Sequence, residues 1–513
     1  MMFQSILSWQ EIRKGCKGVK MKHINTKGAS WDSMFLTFVK ILTTLTSIVV
    51  TKILSVGLSL TDYGTYSQAI LIVSIGTTII LFGLGDALNY FYNNQSIEAA
   101  EEKREKIVNT IFFIEIILGI CFMVLVIVLR NIFSIYFSNA ALAGVLTIIA
   151  IKPMLENVIY FYQVLYISTG KAKVIAIRNL IVSVLKIVAI YISVHIFKNV
   201  NMIFISLILL DLLQVLFFQM YFQNKCFKIN PFKILTEYIK PIFSYGIPMG
   251  IYALTNILTR NIDQLVIGKI ADTETLAIYA NCSKLLPLDI IVASFATVLI
   301  PYIMRCVSIN DTKKTVKIFS NYMKIGYYSV WTFGVAILTV TAQVISFLYT
   351  DEYLVGENVF ICYILDSMLR FASMHLILTA SGKAKVLMKY SMIALGLNAV
   401  LNIVLYYFMG ILGPAIATLI TAIIYTYLVL RKTIKTMKVK WLDVLDLKDM
   451  IITLGALVLV GGCIHFINNY LLQIGINKYV LMMGSMAGVC LFSLLFNGRK
   501  IKKCLYEINK LKL

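Results

Sequence analysis

The stretch Ser168-Thr169-Gly170-Lys171-Ala172-Lys173-Val174 returns further along the chain as Ser381-Gly382-Lys383-Ala384-Lys385-Val386, with Gly170 and Gly382 212 residues apart. A second match falls at nearly the same offset. Asp62-Tyr63-Gly64-Thr65-Tyr66 faces Thr275-Leu276-Ala277-Ile278-Tyr279, with Tyr66 and Tyr279 213 residues apart. Two matches at one offset read as an internal duplication, so the flanking segments are expected to occur twice.

Those flanks are apolar. A spanning helix needs roughly 17 to 25 mostly apolar residues, because the hydrocarbon core is about 30 Å thick. Fourteen stretches meet that length: 34–58, 67–92, 107–129, 141–167, 174–197, 202–222, 242–267, 276–304, 323–348, 359–379, 386–409, 411–430, 450–470 and 479–496. They are continuously apolar rather than alternating, which predicts helices and not a barrel. At 59% hydrophobic and 14% charged, the 513 residues carry too much apolar surface for soluble cores.

Six spans separate the repeated segments, an even number, so both copies share one orientation. The expectation is an all-α polytopic membrane protein with two parallel six-helix lobes around a central cavity, plus two C-terminal helices. The corresponding boundaries are a 1–33 N-terminal segment, an N-lobe at 34–222, a linker at 223–241, a C-lobe at 242–430, a linker at 431–449, the last two spans within 450–496 and a 497–513 tail.

The formal charge of +22 would suggest nucleic acid in a soluble protein. Its distribution points elsewhere. With both termini cytoplasmic, inner segments hold 33 basic and 12 acidic residues, outer loops 4 and 6, and the spans 10 and 7. Most of the charge is therefore topology, the positive-inside pattern of a multi-pass membrane protein, and no nucleic-acid partner is expected. The first thirty residues show no cleavable signal, and Met21 is an alternative start. Nine scattered cysteines form no C-x-x-C pair, and the four histidines stand alone, so neither metal nor disulfide framework is expected. No phosphate-binding loop is present and no cofactor is implied.

Charges inside spans are costly, about 2.5 to 3.5 kcal/mol at the bilayer centre, so each needs a partner, a wet cavity or an interface. Arg178, Lys389 and Lys324 lie near span ends, where snorkelling explains them. Lys152 with Glu156, Asp366 with Arg370 and Arg260 with Asp263 have helical pair spacing. Lys40, Lys52, Lys186 and Lys284 have no such neighbour, Glu115, Asp211, Asp86 and Asp289 being potential partners on other helices. A water-filled cationic vestibule for an anion is the functional alternative, with Lys40, Lys52, Lys186, Arg260 and Lys284 as its candidates. Asp86, Asp263, Asp366 and Arg370 are candidates for ion coupling or pairing. Pro248 and Pro287 interrupt spans seven and eight and are expected to bend them.

Leu60-Thr61-Asp62-Tyr63-Gly64-Thr65-Tyr66, Gly83-Leu84-Gly85-Asp86-Ala87-Leu88, Tyr245-Gly246-Ile247-Pro248, Arg260-Asn261-Ile262-Asp263, Ile278-Tyr279-Ala280 and Lys284-Leu285-Leu286-Pro287 fall in one order relative to the spans. On these the chain, over about residues 30 to 430, resembles the multidrug/oligosaccharidyl-lipid/polysaccharide flippase superfamily, and within it the bacterial O-antigen and capsule type. The resemblance implies an undecaprenyl-pyrophosphate-linked oligosaccharide carried to the outer leaflet of the cell membrane by alternating access. Membrane lipid, a polysaccharide polymerase and glycosyltransferases would be its partners. The same superfamily leaves a cation-coupled multidrug exporter or a lipid II flippase as alternatives. A membrane glycosyltransferase or polymerase would need a large outer loop for its catalytic groups, and the longest expected here is about eleven residues.

Overall fold

The computed structural model describes residues 26–92, 101–168, 172–225, 229–230, 233–284 and 311–512, with isolated positions 288, 292, 299, 303, 306, 307 and 309 between them. Within these the chain is helical, and no strand occurs among the described residues. The helices are α1 (Thr26–Gly57), α2 (Leu60–Leu81), α3 (Leu84–Tyr92), α4 (Glu101–Tyr136), α5 (Ala141–Ile149), α6 (Lys152–Ser168), α7 (Ala172–Ile192) and α8 (Val200–Lys225) in the first lobe. The second lobe holds α9 (Ile239–Ile270), α10 (Thr273–Cys282), α11 (Thr312–Leu338), α12 (Thr341–Leu348), α13 (Glu357–Leu369), α14 (Leu376–Ala380), α15 (Ala384–Met409) and α16 (Leu412–Met437). A short α17 (Trp441–Val444) leads to α18 (Leu447–Gln473) and α19 (Lys478–Lys512), which pack together and onto α11.

Local chemistry sets several starts. Ser59, Asp272, Asp311 and Asp446 cap α2, α10, α11 and α18, each side chain accepting a backbone N–H three residues on. Hydrophobic side chains on the perimeter stay uncovered, with Phe408 81% and Leu495 84% exposed, which only a lipid solvent tolerates at this density. Among the described residues nine helices are long and apolar enough to cross a membrane, and ten if α11 and α12, bent by 83°, form one broken span. The other four expected spans meet helices that fall short of that test or are partly undescribed. The apolar part of α1 is Ile41–Gly57, and α9 is long but more polar. Span eight is described only as far as α10 and isolated residues, and α13 ends at Arg370 before α14 resumes.

Two expectations about continuity change. Span two stays one candidate span, Leu60–Tyr92, but a two-residue turn separates α2 from α3, where Phe82 and Gly83 have φ of 34° and 75°. The reason is tertiary: Gly83 meets α9 backbone to backbone, and a Cβ there would lie 2.1 Å from the Gly246 carbonyl. Conversely, α9 runs through Pro248 as one helix, and Pro287 lies outside the described residues. The first copy of the repeated Gly-Lys segment also lies largely outside them.

Candidate functional site

The polar residues of α6, α7 and α8 recur at helical spacing on otherwise apolar helices. Lys152, Glu156, Tyr160 and Gln163 share one face of α6, Asn179, Ser183 and Lys186 one face of α7, and Leu207, Asp211 and Gln214 one face of α8. Folding turns these three stripes onto each other and leaves a cavity of about 440 Å³ in the first lobe. A second cavity, about 410 Å³, lies in the other lobe between α9, α15 and α16, lined by Tyr252, Asn256, Arg260, Arg370, His375 and Asn398 among others. A third, about 310 Å³, lies between them at the lobe boundary. It shares Leu81 and Tyr160 with the first and Asn256 and Arg260 with the second. The polar space is therefore a row of three neighbouring cavities, each sharing wall residues with the next, running from lobe to lobe.

Its charges divide into paired and unpaired. Lys152 bridges Glu156 at 3.1 Å and Asp211 at 2.5 Å, so the expected pair forms and gains a third member from α8. Arg370 meets Asp366 at 2.9 Å, again as spaced. Lys186 lines the first cavity and forms no ion pair among the described residues. Asp211 is taken by Lys152, and Glu115 is buried with neither oxygen hydrogen-bonded. Arg260 lines the middle and second cavities, also without an ion pair, and Asp86 shares the middle one with it. Arg260 does not pair with Asp263. Three residues along a helix leave side chains about 60° apart, and Asp263 points instead into the second lobe, where it is 2% exposed. There it accepts hydrogen bonds from Tyr363 and, at 2.9 Å, from Tyr279.

Arg178 corrects the snorkelling expectation. Its guanidinium turns inward, donating to Asn179 at 2.7 Å and to Gln214 of α8, with its centre 5.1 Å above Phe218. It lines the first cavity beside Lys186. Lys324 likewise finds a partner, Asp446 at 2.7 Å. Sequence reasoning passed over Asn179, Ser183, Gln214 and His375. The signal for Asn179 and Ser183 was their spacing with Lys186 on α7, and for Gln214 its spacing with Asp211 on α8, whereas His375, at the start of α14, had no such neighbour.

Lys52 and Lys284 are not among the residues lining these three cavities. The Lys52 ammonium lies 3.9 Å from the Phe347 ring centre, joining α1 to α12 of the other lobe. Lys284 donates to the Tyr63 hydroxyl at 2.7 Å and to Asn281 Oδ1 at 2.8 Å, while Tyr63 donates to the same Oδ1 at 2.5 Å. These cations lock the lobes together at one end, beside Gly64, where a Cβ would stand 2.1 Å from the Thr273 carbonyl. Further along the seam, α3 meets α9 with Tyr90 stacked on Tyr245 at 4.5 Å. The Lys40 side chain lies outside the described residues.

Two lobes with a polar, partly cationic interior and contacts at both ends of their seam are the parts an alternating-access carrier requires. Residues 53–358 match the family described as polysaccharide biosynthesis protein. The chain belongs to that family. None of the curated proteins matches it. Among solved structures, the family member's fold is similar to lipid II flippase MurJ in an inward closed conformation, with TM-score 0.72 and 13% identity over 91% of this chain and 100% of that one. It is also similar to an inward-facing multidrug resistance MATE transporter of the MOP superfamily, with TM-score 0.68 and 12% identity over 79% and 98%. A MOP superfamily transporter from Pyrococcus furiosus, described by a reverse polarity of its binding pocket, aligns with TM-score 0.57 and 14% identity over 79% and 94%. Such low identities speak for the fold alone. This polysaccharide biosynthesis protein is thus a multi-pass membrane protein with the fold seen in lipid II flippase MurJ and in MATE transporters.

Proposed function

We propose that the protein moves an undecaprenyl-pyrophosphate-linked oligosaccharide from the cytoplasmic to the outer leaflet of the cell membrane by rocking its two lobes. The observation that carries this reading is the row of three polar cavities, in which Arg178, Lys186 and Arg260 form no ion pair with a carboxylate among the described residues. A diphosphate is the anion best matched to such donors, since charge-assisted bonds to phosphate oxygens are short and strong. The amides, hydroxyls and tyrosines of the second cavity suit a glycan, whose hydroxyls need both donors and acceptors.

The excess of lysine and arginine on one side orients the molecule with both termini in the cytoplasm. In that orientation the Tyr63–Lys284 lock faces outward. The segments 34–222 and 242–430 act as the moving lobes, joined by cytoplasmic linkers. A polymerase and glycosyltransferases of the same pathway would consume and supply the substrate. Transport rather than covalent chemistry accounts for the site, whose charged groups are spread over neighbouring cavities.

A cation-coupled exporter remains as a second reading because Asp263 and Asp366 are carboxylates buried in the second lobe. Proteoliposomes holding a fluorescent lipid-linked oligosaccharide separate the readings. Protein-dependent loss of inner-leaflet probe, abolished by Lys186→Ala, supports the proposal. Cation-driven drug efflux without lipid translocation supports the exporter. Translocation of lipid II but not of the oligosaccharide lipid would place the protein in peptidoglycan synthesis.

A further inference from the structure

Outside the cavities already described, α7 and α8 part on the membrane face to leave an apolar seam of about 290 Å³. Its outer edge is formed by Ile177, Ile181, Leu185, Leu213 and Phe217, which are 45–62% exposed and so meet lipid. Its inner wall is shared with the first cavity: Arg178, Val182, Leu210 and Gln214 line both. The two spaces are thus separated by one layer of side chains, and the polar members of that layer are Arg178 and Gln214. Arg178 Nε is buried and has no hydrogen-bond partner. A buried, unpartnered guanidinium N–H between a cationic chamber and a lipid-facing groove is the boundary that an amphiphile with a phosphate head and a hydrocarbon tail would straddle.

The geometry points to the α7–α8 seam as the tail channel of the transported lipid, holding its first prenyl units in the membrane while Arg178 receives the phosphate inside. This assignment rests on the proposed lipid-phosphate substrate and adds where its chain leaves the protein. Charge complementarity selects a phosphate-headed lipid, and the aliphatic edge selects hydrocarbon. Gln214 bonds Arg178 in the present state. Entry of a phosphate would offer the guanidinium a stronger acceptor than this neutral amide, so head binding and loosening of the α7–α8 wall occur together.

The test uses the full chain in phosphatidylcholine nanodiscs with a polyprenyl phosphate carrying a diazirine on the isoprene nearest the phosphate, followed by mass mapping of the photo-adducts. Adducts concentrated on Ile181, Leu213 and Phe217 are expected. They should fall about tenfold or more in Arg178→Gln, as loss of a charged contact implies, and recover in part in Arg178→Lys. Leu213→Trp, a change on the lipid side that leaves Arg178 in place, fills the seam and should lower them as well. Adducts spread evenly over the lipid-facing helices, or unchanged in Arg178→Gln and Leu213→Trp, overturn the assignment. So does their loss when equimolar phosphatidylglycerol is added, which would make the seam a site for bilayer phospholipid. Oligosaccharide-lipid translocation in proteoliposomes, read separately, distinguishes the two failures. Translocation without seam adducts removes the tail channel alone. Seam adducts without translocation remove the transport reading and leave a lipid-phosphate site.

Discussion

Replacing Tyr63 by Phe should release one end of the lobe interface. The hydroxyl it removes donates to Asn281 Oδ1 at 2.5 Å and accepts from the Lys284 ammonium at 2.7 Å. The ring itself remains to pack edge-on against Tyr353 at 6.2 Å. A bond to a charged group contributes about 1.5 to 3 kcal/mol and a neutral one about 1 kcal/mol, but Lys284 keeps its second bond to Asn281. The net loss is therefore about 2 to 3 kcal/mol. It falls on the closed state alone, because on opening these groups exchange one another for water. The closed-to-open ratio should drop about 30- to 150-fold. Spin labels at Val56 of α1 and Val355 of the 351–356 turn, 53% and 73% exposed on opposite lobes, would report it as a shift to longer distances in double electron–electron resonance. Thr61→Ala, which removes only the exposed bond to Glu274, should leave the distribution nearly unchanged. A folded Tyr63→Phe protein with the wild-type distance distribution would refute the idea that this cluster holds the lobes together.

The remaining predictions concern substrate, packing and pH. Lys186→Gln and Arg260→Gln should each lower apparent substrate affinity about 10- to 100-fold in the translocation assay, whereas Lys52→Gln, whose ammonium sits on Phe347, should alter lobe opening more than affinity. Gly83→Ala must adopt a left-handed φ and place a methyl 2.1 Å from the Gly246 carbonyl, costing at least about 1 to 3 kcal/mol and lowering the melting temperature in detergent. A hydrogen bond from Lys324 holds Asp446 below the ordinary carboxyl value of 3.8. An acid with a depressed folded value stabilises above its unfolded value and loses that contribution as pH falls through the folded one. Docking of α18 should therefore weaken below about pH 4, by less than about 1 kcal/mol for so exposed a pair. Asp446→Asn should abolish that dependence in thermal melts taken across the range.

Much of the architecture was legible because lipid imposes simple rules. Run length located the helices, and the repeat announced two lobes. The break at Phe82–Gly83 was not legible, since its cause is the backbone of Gly246 and Gly250 some 160 residues away. The 83° bend between α11 and α12 likewise has no proline or glycine to mark it. At the site, pairs four apart on one helix were read correctly, as Lys152–Glu156 and Asp366–Arg370 show. The unpaired lysines diverged: Lys186 lines a cavity, Lys52 covers an aromatic ring and Lys284 locks the lobes. Lack of an acidic residue at pair spacing in sequence is common to all three and says nothing about what a neighbouring helix supplies.

The last two helices are tied to α11 by more than apolar contact. Asp449 accepts from Tyr327, Tyr328 and Lys500, and Thr332 meets Ser493. Separating Thr332 from Ser493 would strand hydroxyls in hydrocarbon, and parting Asp449 from Lys500 and the two tyrosines would break a charge-assisted cluster at the membrane surface, so α18 and α19 are fastened to the second lobe as one body. That makes the two lobes unequal in mass and in drag. Under the proposed rocking, the lighter partner would turn further for the same torque in a viscous bilayer, so that the first lobe, with its cationic chamber, would make the larger excursion against a ballasted second lobe.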